Sequence, residues 1–314
     1  METKSNSGYW NKTIGKIDWK NAMSFFSILI RSLFIIGIAF MILYPIITKI
    51  LVSLMEEGDL YDPTVQWISR NMNLRNYKAA FLALKYPGSA INSLLLCLTV
   101  SIFQLISCTL VGYGLARFNF KGVNIVFLLV LFTLVVPPQT ITIPLYLNFR
   151  YFNFAGLEFN LLGSLWPLIL MSVTGLAYKN GLFIYIMRQF FKGMPGELEE
   201  AAYVDGAGPF RTFFKVMLPG AIPVLVIVFL FSFVWQWNDT FFTGLFLRGK
   251  EYLSLRLVRL YPLYDQIHQE WYGARAPRRV ISLVNNAGMI LFISPLLLLY
   301  VTMQRHFIES VQRT

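Results

Sequence analysis

Three groups of residues have the composition of reactive sites. Gly244-Leu245-Phe246-Leu247-Arg248-Gly249-Lys250-Glu251 has nearly the spacing of a phosphate-binding loop, in which backbone N–H groups cradle a nucleotide and the lysine reaches its outer phosphates. Glu251 stands where that chemistry needs a Ser or Thr hydroxyl on magnesium, and an apolar run rather than a strand precedes the stretch. His268 and His306 lie apart, without partners at metal-ligand spacing. Cys97 and Cys108 share one apolar segment, where neither a disulfide framework nor a thiolate metal site has the ligands to form. They read as small apolar fillers. No metal site and no enzyme active site follows from these residues.

The segments that carry them are membrane-like. Of the 314 residues, 56% are hydrophobic and 14% charged, the balance of a membrane protein rather than a soluble domain. A bilayer core about 30 Å thick takes about 20 apolar residues per helical span. Runs of that length recur at 33–54, 89–116, 123–147, 164–187, 221–247 and 281–303. The expected fold is an all-α membrane protein with six transmembrane helices and no soluble domain between them. On this reading 1–32 is an N-terminal segment, 33–54 the first span and 55–88 a loop on the side opposite the termini. Residues 89–304 form a five-helix core and 305–314 a tail on the same side as the N-terminal segment. The first apolar run exceeds the roughly 7–15 residues of a signal-peptide core, so it reads as an uncleaved span.

A net charge of +11 would suggest nucleic acid in a soluble domain. Here the basic residues flank apolar spans, where they anchor helix ends at the interface, and no nucleic-acid partner is expected. Six spans put both termini on one side, yet thirteen Lys and Arg fall on each side of the membrane, with Lys179 left inside a span. Charge counting therefore does not orient the chain.

The stretch 195–219, between the fourth and fifth spans, does. It reads as a helix, a glycine turn and a second short helix: Pro195 suits a first turn, Glu197, Glu199 and Glu200 complement the positive N-terminus, and Gly206 supplies a left-handed stop. Glu200-Ala201-Ala202, three residues, Gly206, nine residues, Val216, one residue, then Leu218-Pro219 resembles the EAA loop of ABC importer permeases, with Val in place of the usual Ile. Asn92-Ser93, Tyr113-Gly114-Leu115-Ala116-Arg117-Phe118, Pro137-Pro138, Ile143-Pro144-Leu145, Arg188-Gln189-Phe190-Phe191 and Trp237-Asn238-Asp239 resemble the sugar-uptake branch of that family. The whole chain is similar to its maltose-permease G-type subunits.

The resemblance implies a cytoplasmic coupling helix seated in a groove of an ATPase subunit, which fixes the termini inside. Glu200, Ala201, Ala202, Asp205, Gly206, Ala207, Phe210, Leu218 and Pro219 would make that joint. Small alanines would permit close approach, Glu200 and Asp205 would accept hydrogen bonds, and Phe210 and Phe213 would brace the knob on its own spans. It also implies a second homologous permease subunit, two ATPase subunits holding ATP and magnesium, an extracytoplasmic solute-binding protein and a sugar substrate. No cofactor is expected in this chain.

Polar side chains at bilayer depth are costly and face a bundle interior or a water-filled path. Lys179, Trp235, Gln236, Trp237, Asn238, Asp239, Asn285 and Asn286 are the candidates for a sugar path, with interhelix hydrogen bonding as the alternative for the amides. At about 1.5 Å of rise per residue, Asp239 and Asn285 fall in the outer half, and Lys179 in the inner half, too deep to pair with Asp239. Residues 248–280 form a long outer loop rich in aromatic and arginine residues, the types that dominate interfaces. The resemblance to maltose-type subunits implies that this loop meets the binding protein, with Tyr264, Trp271 and Tyr272 as its contacts.

Overall fold

The computed structural model describes residues 19–65 and 68–312. Most of the expected N-terminal segment, 1–18, lies outside the described residues, as does the end of the tail, 313–314.

The helices are α1 (Trp19–Ser53), α2 (Arg75–Ala83), α3 (Tyr86–Arg117), α4 (Val123–Val135), α5 (Thr142–Arg150), α6 (Trp166–Val173), α7 (Asn180–Gly193), α8 (Glu197–Val204), α9 (Pro209–Thr212), α10 (Leu218–Gly220), α11 (Ile222–Asn238), α12 (Phe241–Phe246), α13 (Leu253–Val258), α14 (Leu260–Tyr272) and α15 (Arg278–Gln312). A π-helical turn, Phe213–Met217, joins α9 to α10. The all-α expectation needs one correction. An antiparallel hairpin, β1 (Phe152–Phe154) and β2 (Leu157–Phe159), follows α5. Ala155 and Gly156 take φ of +52° and +84° in its two-residue turn, the left-handed pair that matches strand twist, and Asn153 Oδ1 accepts from the Gly156 N–H at 3.1 Å.

Among the described residues, three helices are long and apolar enough to cross a bilayer unbroken: Met23–Ser53, Tyr86–Arg117 and Arg278–Thr302. The other expected spans are interrupted. In 123–147 the helix stops before Pro137-Pro138, because a proline lacks the N–H and disfavours helical backbone in the residue ahead of it. Val123–Val135 and Pro138–Arg150 then meet at 98°. The stretch 164–187 is two helices, α6 and α7, with Gly175 and Lys179 at positive φ between them. In 221–247, α11 stops at Asn238 and α12 restarts at Phe241. The segment 248–280, expected as an outer loop, holds α13 and α14, and its Leu253 and Leu260 are buried.

Helix α3 is the hub, packing on α7, α11 and α6. Its crossing with α7 is close because Gly112 has no side chain: a Cβ there would sit 2.6 Å from Met187 Cβ and 3.0 Å from the Arg188 backbone N. Gly181 similarly lets α7 approach α4, where a Cβ would lie 2.8 Å from the Val130 carbonyl oxygen. Small residues at such crossings are how membrane helices gain van der Waals contact without a hydrophobic driving force. Two buried arginines close helix ends. Arg188 Nε donates to the Leu115 carbonyl at 3.2 Å, with its guanidinium 3.9 Å from the centre of the Phe127 ring. Arg256 Nε donates to the Ala83 carbonyl at 3.0 Å and its Nη1 to Glu251. Both meet the negative C-terminus of a helix, α3 and α2. The core falls into three apolar clusters: one around Tyr113, Met187, Phe191 and Phe213; one around Leu84, Phe233, Trp237 and Leu253; one around Phe149, Phe242 and Phe246.

Helix α1 stands apart, its apolar side chains exposed along most of its length. It packs on α15, and Lys49 Nζ donates to Asn286 Oδ1 at 3.5 Å.

Gly112→Val should push α3 off α7, at the roughly 1–3 kcal/mol typical of overpacking, and lower the melting temperature of the detergent-purified protein. Gly114→Ala, whose Cβ would meet nothing nearer than 4.0 Å, should melt like the parent; equal melting of both variants would remove the close crossing.

Candidate functional site

The knob between α7 and α11 starts from its glycine. Gly206 has φ of +75°, its N–H donates to the Tyr203 carbonyl at 3.0 Å, and the Ala207 N–H reaches back to the Ala202 carbonyl at 2.9 Å. That pair of bonds is a Schellman stop, which a left-handed residue permits. Helix α8 begins at Glu197, two residues after Pro195, so the proline precedes the first turn rather than occupying it. Its inner face is fastened to α3. Tyr113 Oη donates to Glu199 Oε1 at 2.8 Å, and Arg117 Nε lies 3.5 Å from Glu199 Oε2, close but not aligned for a hydrogen bond. Arg117 Nη2 donates to the Met194 carbonyl at 2.8 Å. The Tyr113 ring packs on Phe191 and Phe213.

The outer face of the knob is open. Glu200, Ala201, Asp205 and Pro219 are exposed, and Val204 and Phe210 are 87% and 81% exposed. Two expectations change here. Phe210 does not brace the knob but projects from it, leaving that task to Phe213, which is buried. Ala202 is buried on the inward face, and Ala207 and Leu218 are half-buried, so of the three alanines Ala201 is the exposed one.

At the break between α6 and α7 lies a small cleft of about 20 Å³, lined by Gln104, Ser172, Tyr178, Ser232, Trp235, Gln236 and Asp239 among others. Lys179 Nζ sits 4.6 Å from the Tyr178 ring centre and 5.4 Å from that of Trp235. Residues 174–179, ahead of α7, turn instead of climbing as a helix. Lys179 and Asp239 are the two charges that sequence depth kept apart. Among the described residues no ion pair joins the two. The Asp239 carboxylate is engaged otherwise, accepting from the Phe242 N–H at 3.2 Å and from the Thr243 N–H and hydroxyl at 2.6 and 2.7 Å. It caps α12.

The remaining path candidates divide. Trp235 is partly exposed beside the lysine, and Gln236 Nε2 donates to Thr243 Oγ1 at 3.2 Å. Trp237 is 2% exposed, stacked on Phe233 and donating to the Phe292 carbonyl at 3.3 Å, so it belongs to the core and not to a lining. Asn238 bonds back to the Val234 carbonyl. Asn286 pairs with Lys49, and neither it nor Asn285 lines the cleft.

Residues that sequence reasoning passed over complete the site. Gln104 Nε2 donates to the Tyr178 carbonyl at 3.2 Å and its Oε1 accepts from Ser232, while Ser107 Oγ donates to the Ser172 carbonyl at 2.6 Å. A glutamine in mid-span is a visible signal.

At the far end, a cleft of about 660 Å³ opens between the 55–79 segment and α14, with Glu56, Asn73, Arg75, Tyr264, His268, Trp271 and Tyr272 in its walls. Tyr264 is buried, and that burial pushes its phenol above the ordinary range. Trp271 and Tyr272 are half exposed, and the Arg75 guanidinium lies 5.9 Å from the Tyr272 ring centre and donates to its hydroxyl.

Residues 108–313 match the family described as binding-protein-dependent transport system inner membrane component. The chain belongs to that family. It is a membrane permease subunit, a transport component rather than an enzyme, of the kind that works with an ATPase and a solute-binding protein at the inner membrane. The permease is 28% identical to the osmoprotective compounds uptake permease protein of Synechocystis sp., over 88% of each chain. It is 26% identical to the maltodextrin transport system permease protein of Streptococcus pneumoniae, over 89% of this chain and 91% of that one. Its fold is similar, with a TM-score of 0.72 at 20% identity, to a chain in the crystal structure of a bacterial ABC transporter involved in the import of the acidic polysaccharide alginate, covering 94% of this chain and 100% of that chain.

If Asp239 serves α12 through its cap, Asp239→Asn should keep more than half of the parent's thermal stability margin and uptake. Asp239→Ala should cost about 1 kcal/mol. Equal loss in both variants would point to the charge instead.

Proposed function

We propose that this permease is one half of the pore of an ATP-driven importer for a sugar, an oligosaccharide by class, delivered by an extracytoplasmic binding protein. The observation that carries the reading is the knob: a helix stopped by Gly206, fastened inside through Glu199 and presenting Glu200, Ala201, Val204, Asp205 and Phe210 outward. Such a stiff, glycine-turned handle suits rigid-body transmission better than a floppy loop does. Its carboxylates would meet basic and backbone donors on an ATPase subunit, and Val204 and Phe210 would fill an apolar pocket there. ATP and magnesium would be held by two such subunits and not by this chain.

On this reading the knob is cytoplasmic, both termini are inside, and six crossings arise when each interrupted stretch counts as one span. A second homologous permease would complete the pore. The partly exposed Trp235 and Tyr178 with Lys179 between them would face the path, since sugars stack on aromatic rings and bond to polar groups. Trp271 and Tyr272, at the rim of the far cleft, would meet the binding protein. The maltodextrin relative supports an oligosaccharide. The osmoprotectant relative favours a second reading, a smaller polar solute carried by the same machinery.

Co-expression with a second homologous permease and ATPase subunits should yield one detergent-stable complex. Exchanging Glu200 and Asp205 together for Lys should strip the ATPase while the permease stays inserted, because like charge would then face a basic groove. Retention of the ATPase by that variant would sink the coupling assignment. Trp271→Ala should reduce binding-protein-stimulated ATP hydrolysis several-fold and leave the unstimulated rate alone; unchanged stimulation would make the outer segment a simple connector.

A further inference from the structure

The knob touches α3 at a joint whose members are drawn from two distant stretches, Tyr113 and Arg117 from one and Glu199 from the other. The Arg117 and Glu199 side chains are only 15% and 13% exposed, so their charges are largely withdrawn from water. A charged pair in that setting is costly unless it is held by further bonds, and here both members are: Glu199 by the Tyr113 hydroxyl and Arg117 by the Met194 carbonyl. Glu199 is half-buried and turned about 100° from exposed Glu200 on α8, and Asp205, just past the helix end, is exposed as well. The two faces of one short helix thus have separate tasks, one open to a partner and one bound to α3.

Helix α3 runs unbroken from that joint past Gln104. The nine residues from Tyr113 to Gln104 span about 13 Å. Gln104 holds the carbonyl of Tyr178, the residue beside Lys179 at the α6–α7 break, and also bonds Ser232 on α11. A displacement of α8 therefore has a continuous route of directed bonds to the cleft: Glu199, Tyr113, the α3 backbone, Gln104, then the turn that carries Lys179. Spatial continuity alone does not make a coupling path, and measured coupling does.

We propose that Glu199, acting through Tyr113 and Arg117, is a positioning residue that transmits ATPase movement to α3 and through Gln104 to the cleft, without itself touching the ATPase. This rests on the reading of the outer face of α8 as the ATPase contact. The test uses the complete complex in proteoliposomes with its binding protein and measures three quantities: ATPase subunit retained, ATP hydrolysed and solute taken up. Glu199→Ala should retain the ATPase and lower uptake per ATP about tenfold, in the range a charged hydrogen bond supports. Glu199→Gln, which keeps an acceptor for the Tyr113 hydroxyl, should restore much of that ratio. Tyr113→Phe combined with Glu199→Ala should be no worse than Glu199→Ala alone, the non-additivity of groups in one joint. An unchanged uptake-to-ATP ratio in Glu199→Ala, additive losses in the double variant, or loss of the ATPase subunit from all three variants would each overturn the proposal. The Glu200 and Asp205 exchange serves as the control: if it leaves the ATPase bound, the docking reading fails independently of the joint.

Discussion

A helix broken inside a bilayer frees backbone groups that lipid cannot satisfy, and this permease breaks its helices at several places. The fold depends on finding partners for those groups. Helix α3 provides them at the α6–α7 break: Gln104 donates to the Tyr178 carbonyl, Ser107 to the Ser172 carbonyl, and Cys108 Sγ lies 3.7 Å from the Asn180 carbonyl. At the α11–α12 break the Asp239 carboxylate accepts the freed N–H groups of Phe242 and Thr243. Polar residues on neighbouring elements thus permit irregular backbone at depth, and irregular backbone puts Lys179, a residue with φ of +71°, beside two aromatic rings. Close packing at Gly112 and Gly181 then presses α7 against α3 and α4, so that the donors on α3 reach.

The same accounting separates structural from available groups. Asp239, Asn286, Arg188 and Arg256 all have the chemistry of a binding site, yet each is engaged in a cap or an interhelix bond. Lys179, set against the exposed rings of Tyr178 and Trp235, is held by neither a cap nor an ion pair among the described residues. The far cleft is similar in kind: Tyr264 builds the wall, and Trp271 stands at the opening.

The apolar runs were legible because hydropathy is additive along the chain, and Gly206 was legible because only one backbone conformation stops a helix in that way. Their interruptions were harder to read. Pro137-Pro138 announces a bend, but nothing in 174–179 outweighs the apolar residues around it, and the turn exists because α3 supplies partners from 65 to 74 residues away. Trp237 had the look of a sugar platform from its neighbours Asn238 and Asp239. Helical geometry turned it inward onto Phe292 instead, a contact 55 residues away. Glu199 and Glu200 are adjacent in sequence and identical in type; the 100° or so between successive helical side chains gave one to α3 and left the other open.

The pairing of α1 with α15 bears on how the molecule is made. Its Lys49–Asn286 bond joins residues 237 positions apart, so α1 leaves the ribosome well ahead of α15 and waits for it before this contact can form. Contacts between such distant segments form late and expose their surfaces meanwhile. During that interval α1 presents a largely apolar surface to the bilayer, tied to α2 by Asn76 and Tyr77 at its Ser53 end. The closure of α15 against α1 therefore comes late in biogenesis.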